Sequence, residues 1–158
     1  MEIERKWFVK TLPDLSGLIP VSYERYFLFI GDTVEVRIQK KGNKFEFERK
    51  SQISNLTREE QKFEITEEEF ETFKQFSNKS LIRDSYIYQK DPEISIKVYK
   101  GDHEGLVRAE VEFESEDEAK QFIPLDWFGK EITESPIGRD KSLISLSNEE
   151  FNQIISEY

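Results

Sequence analysis

The chain has 158 residues, 33 acids against 23 lysines and arginines, a formal net charge of -10, one histidine and no cysteine. That length suits one domain, 1–158, with a core that needs no covalent staples. The cysteine count excludes disulfides, thiolate metal sites and cysteine nucleophiles and fits a reducing, cytoplasmic setting, while the acidic excess argues against nucleic acid as a partner.

No apolar run is long enough to span a membrane as a helix, and the opening MEIERKWFV lacks the apolar centre of a signal peptide. Neither a membrane partner nor export is expected. With His103 as the sole histidine, a histidine-based triad or a two-histidine metal site is excluded. In its Gly-Asp-His-Glu-Gly setting His103 reads as a loop residue in solvent.

Alternation of period two dominates the first two-thirds of the chain. It predicts strands at 2–9, 23–30, 33–40, 44–51, 58–65, 81–89, 93–100 and 106–114. Turn residues separate them: Gly31-Asp32, Lys41-Gly42-Asn43, Ser54-Asn55, Asp91-Pro92 and Gly101-Asp102. Helix starts are marked where Thr66 precedes Glu69, Ser115 precedes Glu118 and Ser147 precedes Glu150, the spacing of a capping box. Helix 66–77 carries Phe70, Phe73 and Phe76 on one side, helix 115–123 carries Ala119, Phe122 and Ile123, and helix 147–157 carries Phe151, Ile154 and Ile155. The segment 124–146 is loop-rich, with room for a short helix near 139–145, and its Trp127-Phe128 reads as a core plug. The expected fold is mainly β: an eight-stranded antiparallel meander closed into a barrel, helices outside.

Parity sorts each strand into two faces. Glu2, Glu4 and Lys6 share one; so do Glu35, Arg37 and Gln39; Glu46, Glu48 and Lys50; Arg58, Glu60, Lys62 and Glu64; Arg83 and Ser85; Glu93, Ser95 and Lys97; and Arg108, Glu110, Glu112 and Glu114. Alternation by itself favours the ordinary barrel, greasy inside and wet outside. Two features argue for the reverse. The capped amphipathic helices need an apolar platform, which the outside of the barrel would supply, and the charged face interleaves both signs on single strands. Such a lumen must pair or ligate its charges, because an unpaired buried charge is costly. Carboxylate pairs such as Glu2/Glu4 and Glu110/Glu112 then offer oxygen ligands suited to Mg²⁺ or Mn²⁺, and neighbouring Lys and Arg can hold phosphate oxygens. An E-x-E pair alone is a weak signal, since most are a solvated face.

Glu2-Ile3-Glu4-Arg5-Lys6 at the chain start resembles the E-x-E-x-K signature of the CYTH superfamily, the triphosphate tunnel metalloenzymes. Glu35-Val36-Arg37, Lys50-Ser51, Arg58, Glu110-Val111-Glu112-Phe113, the stretch from Ser115 to Pro124 and Trp127 to Thr133 follow in order, so the resemblance covers nearly the whole chain. It implies an eight-stranded tunnel that binds a small-molecule triphosphate with Mg²⁺ or Mn²⁺. By position Lys6, Arg37, Lys50, Arg58 and Arg83 would grip phosphate, and Glu2, Glu4, Glu110 and Glu112 would hold metal, with Glu60, Glu64 and Glu131 as further acids. The implied activity is hydrolysis of an inorganic, organic or nucleoside triphosphate. The alternatives are adenylyl cyclase chemistry on ATP and binding of a phosphorylated ligand without turnover. The chain departs from the pattern at Gln39, at Arg83-Asp84-Ser85, at Lys62 and at Lys97, where the family usually has an aspartate. Lys97 and Lys62 are expected to pair with Glu112 or Glu60.

Overall fold

A computed structural model describes all residues, 1–158. Strands β1 (Glu2–Phe8), β2 (Val21–Ile30), β3 (Val34–Lys41), β4 (Lys44–Gln52), β5 (Thr57–Glu64), β6 (Ser80–Lys90), β7 (Glu93–Lys100) and β8 (Val107–Phe113) form a closed antiparallel barrel. Its order is β1-β5-β4-β3-β2-β6-β7-β8. This corrects the simple meander: hairpins run through β2–β5 and β6–β8, but β1 lies between β5 and β8, and β6 lies beside β2. The two long links decide it. Residues 9–20 and 65–79 carry the chain past neighbouring strands, which a hairpin turn cannot do.

Three helices follow the capping signals, α1 (Glu67–Lys74), α2 (Glu116–Gln121) and, in chain order after the uncapped α3 (Asp140–Leu143), α4 (Asn148–Ile155). None is long and apolar enough to cross a membrane. Thr66 and Ser147 complete reciprocal capping boxes. At Ser115 half of the box forms: its hydroxyl accepts the Glu118 amide, while the Glu118 carboxylate accepts the Glu114 amide at 3.3 Å.

Helices α1 and α2 sit on the outer, apolar face of the barrel, whereas α3 and α4 give Leu143 and Phe151 to an apolar cluster at one end. Phe70 of α1 is 2% exposed and lies against Tyr26 and Phe45, with Phe73 against Phe47. The helix ends before Phe76, which is exposed. Trp7, pointing outward from β1, meets Phe122 and Phe128 beside α2, and Trp127 packs edge-on to Tyr88. The tryptophan and phenylalanine at 127–128 are therefore packing residues.

Toward one end the inward row of side chains turns apolar. Phe8 comes two residues after Lys6, Phe27 after Arg25 and Tyr99 after Lys97, while Leu81 and Leu106 come two residues before Arg83 and Arg108. All five are buried in one cluster with Ile132, Ile137, Leu143 and Phe151. The cluster forms a hydrophobic floor, so the tunnel is blind. Gly138 makes part of this closure possible. A Cβ there would stand 1.9 Å from the Ile132 carbonyl oxygen, so only glycine lets the turn Pro136–Gly138 press in and deliver Asp140 to the lumen. His103, expected in solvent, is buried instead. The terminal helix α4 folds over the β7–β8 turn and sets Phe151 edge-on to the imidazole, 5.5 Å away.

Candidate active site

The barrel encloses a cavity of about 290 Å³ lined by 23 residues, of which Tyr23 and Ile87 are the hydrophobic ones. The inward parity brings Lys6, Arg37, Lys50, Arg58 and Arg83 into this lining together with Glu2, Glu4, Glu110 and Glu112. Glu60 joins them, but two other acids do not. Glu64 is exposed near Lys44, and Glu131 lies outside the barrel in a two-pronged pair with Arg5, both bonds 2.8 Å.

Register explains why so much charge can be buried. Directly opposed inward pairs include Lys6 and Glu110, Glu2 and Arg58, Glu35 and Lys50, Arg37 and Glu48, and Lys50 and Glu60. At these positions opposite charges face each other across neighbouring strands, whereas Glu112 faces Glu4 and Glu93, and Lys97 faces Arg108. Arg58 reaches Glu2 and Glu4 at 3.0 Å each and Glu35 at 2.7 Å. Lys50 sits 2.9 Å from Glu2, Lys6 2.9 Å from Glu4, and Arg37 2.8 Å from Glu48. Charged residues are almost never fully buried unless paired, and this lattice supplies the partners.

The carboxylates divide into two groups. Glu2, Glu4 and Glu112 bring oxygens within 4.8 Å of one another near the open end. Burial raises the Glu4 carboxyl, but Lys6 and Arg58 outweigh it and bring the group down to about 2. Glu112 goes the other way: burial and then the like charges of Glu93, Glu4 and Glu2 push it up to about 7. A three-carboxylate, all-oxygen set in which Glu112 has no cationic partner fits a hard divalent cation. Glu110 stands apart, its carboxylate accepting a 2.7 Å bond from Arg108 Nε and lying 3.9 Å from Arg83. Burial raises Glu110, yet Arg108 and Lys6 hold it well below the usual carboxylate range.

Deeper in, three arginines converge on one acid that the sequence did not nominate. Asp140, from α3, accepts Arg25 at 2.5 Å, Arg108 at 3.1 Å and the Tyr99 hydroxyl at 2.6 Å, and lies 3.2 Å from Arg83. Arg25 was legible by parity, since Tyr23, Arg25 and Phe27 alternate like the other inward rows. Arg108 lies on the charged face of its strand, in a row whose other members are acids. Asp140 carried no signal, because it comes from a loop-rich segment without alternation.

The departures from the family pattern have definite places. Gln39 uses both ends of its amide: its oxygen accepts Arg25 Nε at 2.8 Å, and its nitrogen donates to Glu46 at 2.9 Å and Glu48 at 2.6 Å. Lys62 pairs with Glu60 at 3.3 Å, as expected. Lys97 does not reach Glu112. Its ammonium donates to Ser85 Oγ at 2.8 Å and has no carboxylate partner. Burial, and then Arg83, bring Lys97 down to about 7.

A closed β-barrel with a blind, ionic lumen, cations beside a carboxylate cluster, defines a tunnel protein for small polyanions. No protein-family model matches the chain. An inorganic triphosphatase from Nitrosomonas europaea is 32% identical over 145 residues, covering 90% of this chain and 95% of that protein. The crystal structure of an inorganic triphosphatase superposes with a TM-score of 0.69 at 30% identity, covering 93% of this chain and 96% of the other. A Hippeastrum protein, described as a putative adenylyl cyclase with a dominant triphosphatase activity, shares the fold (TM-score 0.53, 14% identity, 76% and 83% covered). The chain belongs to the CYTH superfamily of triphosphate tunnel enzymes.

Proposed function

We propose that this protein hydrolyses a linear triphosphate, inorganic or carried on an organic or nucleoside group, with a divalent metal ion in the lumen. The observation that carries the reading is the lumen itself: a cavity of about 290 Å³ whose lining is almost wholly charged. The relative named for triphosphatase activity supports the reaction type. Mg²⁺ or Mn²⁺ held by Glu2, Glu4 and Glu112, with Glu110 nearby, would neutralise phosphate oxygens and help orient water. The phosphate grip falls to Lys6, Arg37, Lys50, Arg58 and Arg83, each of which already holds a carboxylate or hydroxyl in the position of an anion. Ligand entry would then be an exchange: phosphate oxygens would replace Glu2 and Glu4 on Lys6, Lys50 and Arg58, and those two carboxylates are among the ones that would hold the metal.

In the chemical step water attacks the terminal phosphorus, the bond to the bridging oxygen breaks, and pyrophosphate leaves when the substrate is inorganic triphosphate. The released proton must pass to a carboxylate of the lining that is not holding the metal. The cyclase alternative would need a slot for adenine, and Tyr23 and Ile87 are the only hydrophobic residues in the lining. The proposal takes the whole chain, 1–158, as one such domain working in the cytoplasm. The test is phosphate release from tripolyphosphate with Mg²⁺ or Mn²⁺, in wild type, Glu4→Gln and Arg37→Ala. Release that needs metal and falls at least about a hundredfold in both variants is expected. No release with any metal or triphosphate would overturn it. Cyclic AMP from ATP would favour the cyclase, and tight binding without product the non-catalytic alternative.

A further inference from the structure

We propose that Asp140 is a resident anion that fills the innermost anion subsite of the tunnel and so sets the length of the phosphate chain the lumen accepts. The inference rests on the reading of the lumen as a polyphosphate site and adds a specificity-determining residue to it. Three guanidinium groups and a tyrosine hydroxyl surround the Asp140 carboxylate, the constellation that would otherwise surround a phosphate. Both carboxylate oxygens are spent: Oδ1 takes Tyr99 and Arg108, and Oδ2 takes Arg25 and lies beside Arg83. Asp140 is 4% exposed and comes between Ile137 and Leu143 of the apolar floor in the chain. The arginine cluster still has spare capacity, for Arg83 Nε is buried with no partner.

The remaining depth is short. From Arg108 to Glu112 the inward row of β8 advances four residues, about 13 Å along the strand and about 10 Å along a tilted barrel axis. That admits a short linear phosphate chain lying end-on above Asp140. A longer one must protrude past Glu112 and Glu93, where like charge repels it. Removing the carboxylate would uncover a site ringed by Arg25, Arg83 and Arg108 and deepen the tunnel by one anion.

The experiment uses Asp140→Asn and Asp140→Ala in the full chain, with two readouts. Thermal unfolding is followed in sodium phosphate against sodium chloride at equal ionic strength. Inorganic phosphate is expected to raise the melting temperature of Asp140→Ala by several degrees more than that of wild type, because it takes the vacated place, and that of Asp140→Asn by less than that of Asp140→Ala, because the amide still fills it. This readout needs no turnover, so it stands whether or not the protein proves to be a triphosphatase. The second readout is the ratio of kcat/KM for tetrapolyphosphate to that for tripolyphosphate, expected to rise about tenfold in Asp140→Ala, the worth of one added charge-assisted contact. An equal phosphate response in wild type and Asp140→Ala, or an unchanged ratio in folded Asp140→Ala, would overturn the proposal. So would loss of folding in both variants that phosphate does not restore, which would leave Asp140 a purely structural role.

Discussion

Replacing Lys97 with methionine should stabilise the free protein at pH 6 while weakening its hold on triphosphate. Lys97 is 8% exposed, and its ammonium touches the Ser85 hydroxyl and no carboxylate. Burial, and then Arg83, bring it from 10.5 to about 7. The sign follows from proton counting. Between about 7 and 10.5 the unfolded chain holds more protons on this group than the folded one, so stability rises with pH across that window. The penalty is complete below about 7 and gone above 10.5. A drop of about 3.5 at about 1.4 kcal/mol each sets a ceiling of about 5 kcal/mol. Relaxation and water reduce it, and replacing a buried charge by an apolar group of similar volume gains about 1–4 kcal/mol. Urea unfolding of wild type and Lys97→Met at pH 6, 8 and 10 measures it directly. The variant should be ahead at pH 6, with the gap closing toward pH 10, and added tripolyphosphate should stabilise wild type more than the variant. Equal stability at pH 6, or a gap that ignores pH, would refute the reasoning.

Arg58→Met should be the opposite case. It removes the cation shared by Glu2, Glu4 and Glu35, leaving Glu2 to Lys50 and Glu4 to Lys6, and should cost about 3 kcal/mol in urea unfolding. Phe70→Ala should cost about 3–5 kcal/mol by emptying the space between Tyr26 and Phe45, with activity per folded molecule unchanged. Mn²⁺ should raise the melting temperature more at pH 8 than at pH 6, because the Glu112 carboxyl, pushed up to about 7, must lose its proton to serve as a ligand. Glu112→Gln should remove most of that difference.

The barrel was legible because the chain writes it in period two. Once the helices claimed the apolar face, the charged face had only the lumen to occupy, and Glu4, Lys6, Arg37 and Arg58 are buried there. Strand order was not legible. Alternation says which face a residue takes and nothing about its neighbour, so the place of β1 between β5 and β8 came from links whose paths carry no periodic signal. Asp140 and His103 escaped for a related reason. Each owes its burial to a chain segment folding back, α3 under the barrel and α4 over a turn, and such contacts leave no local pattern.

The seam where the barrel closes on itself is thin. β1 aligns with β5 over Glu2–Arg58 and Ile3–Thr57, whereas it runs beside β8 over six residue pairs. Much of what bridges that gap is ionic, through Arg58 and Lys50 to the first two glutamates. A backbone ladder ignores salt and occupancy, but an electrostatic clasp responds to both. Deuterium should enter the amides along this join sooner than those of the opposite wall, and sooner still in concentrated salt. The wall of this tube is thus tied to what it contains: whatever ions occupy the lumen also decide how firmly the first strand is fastened to the fifth.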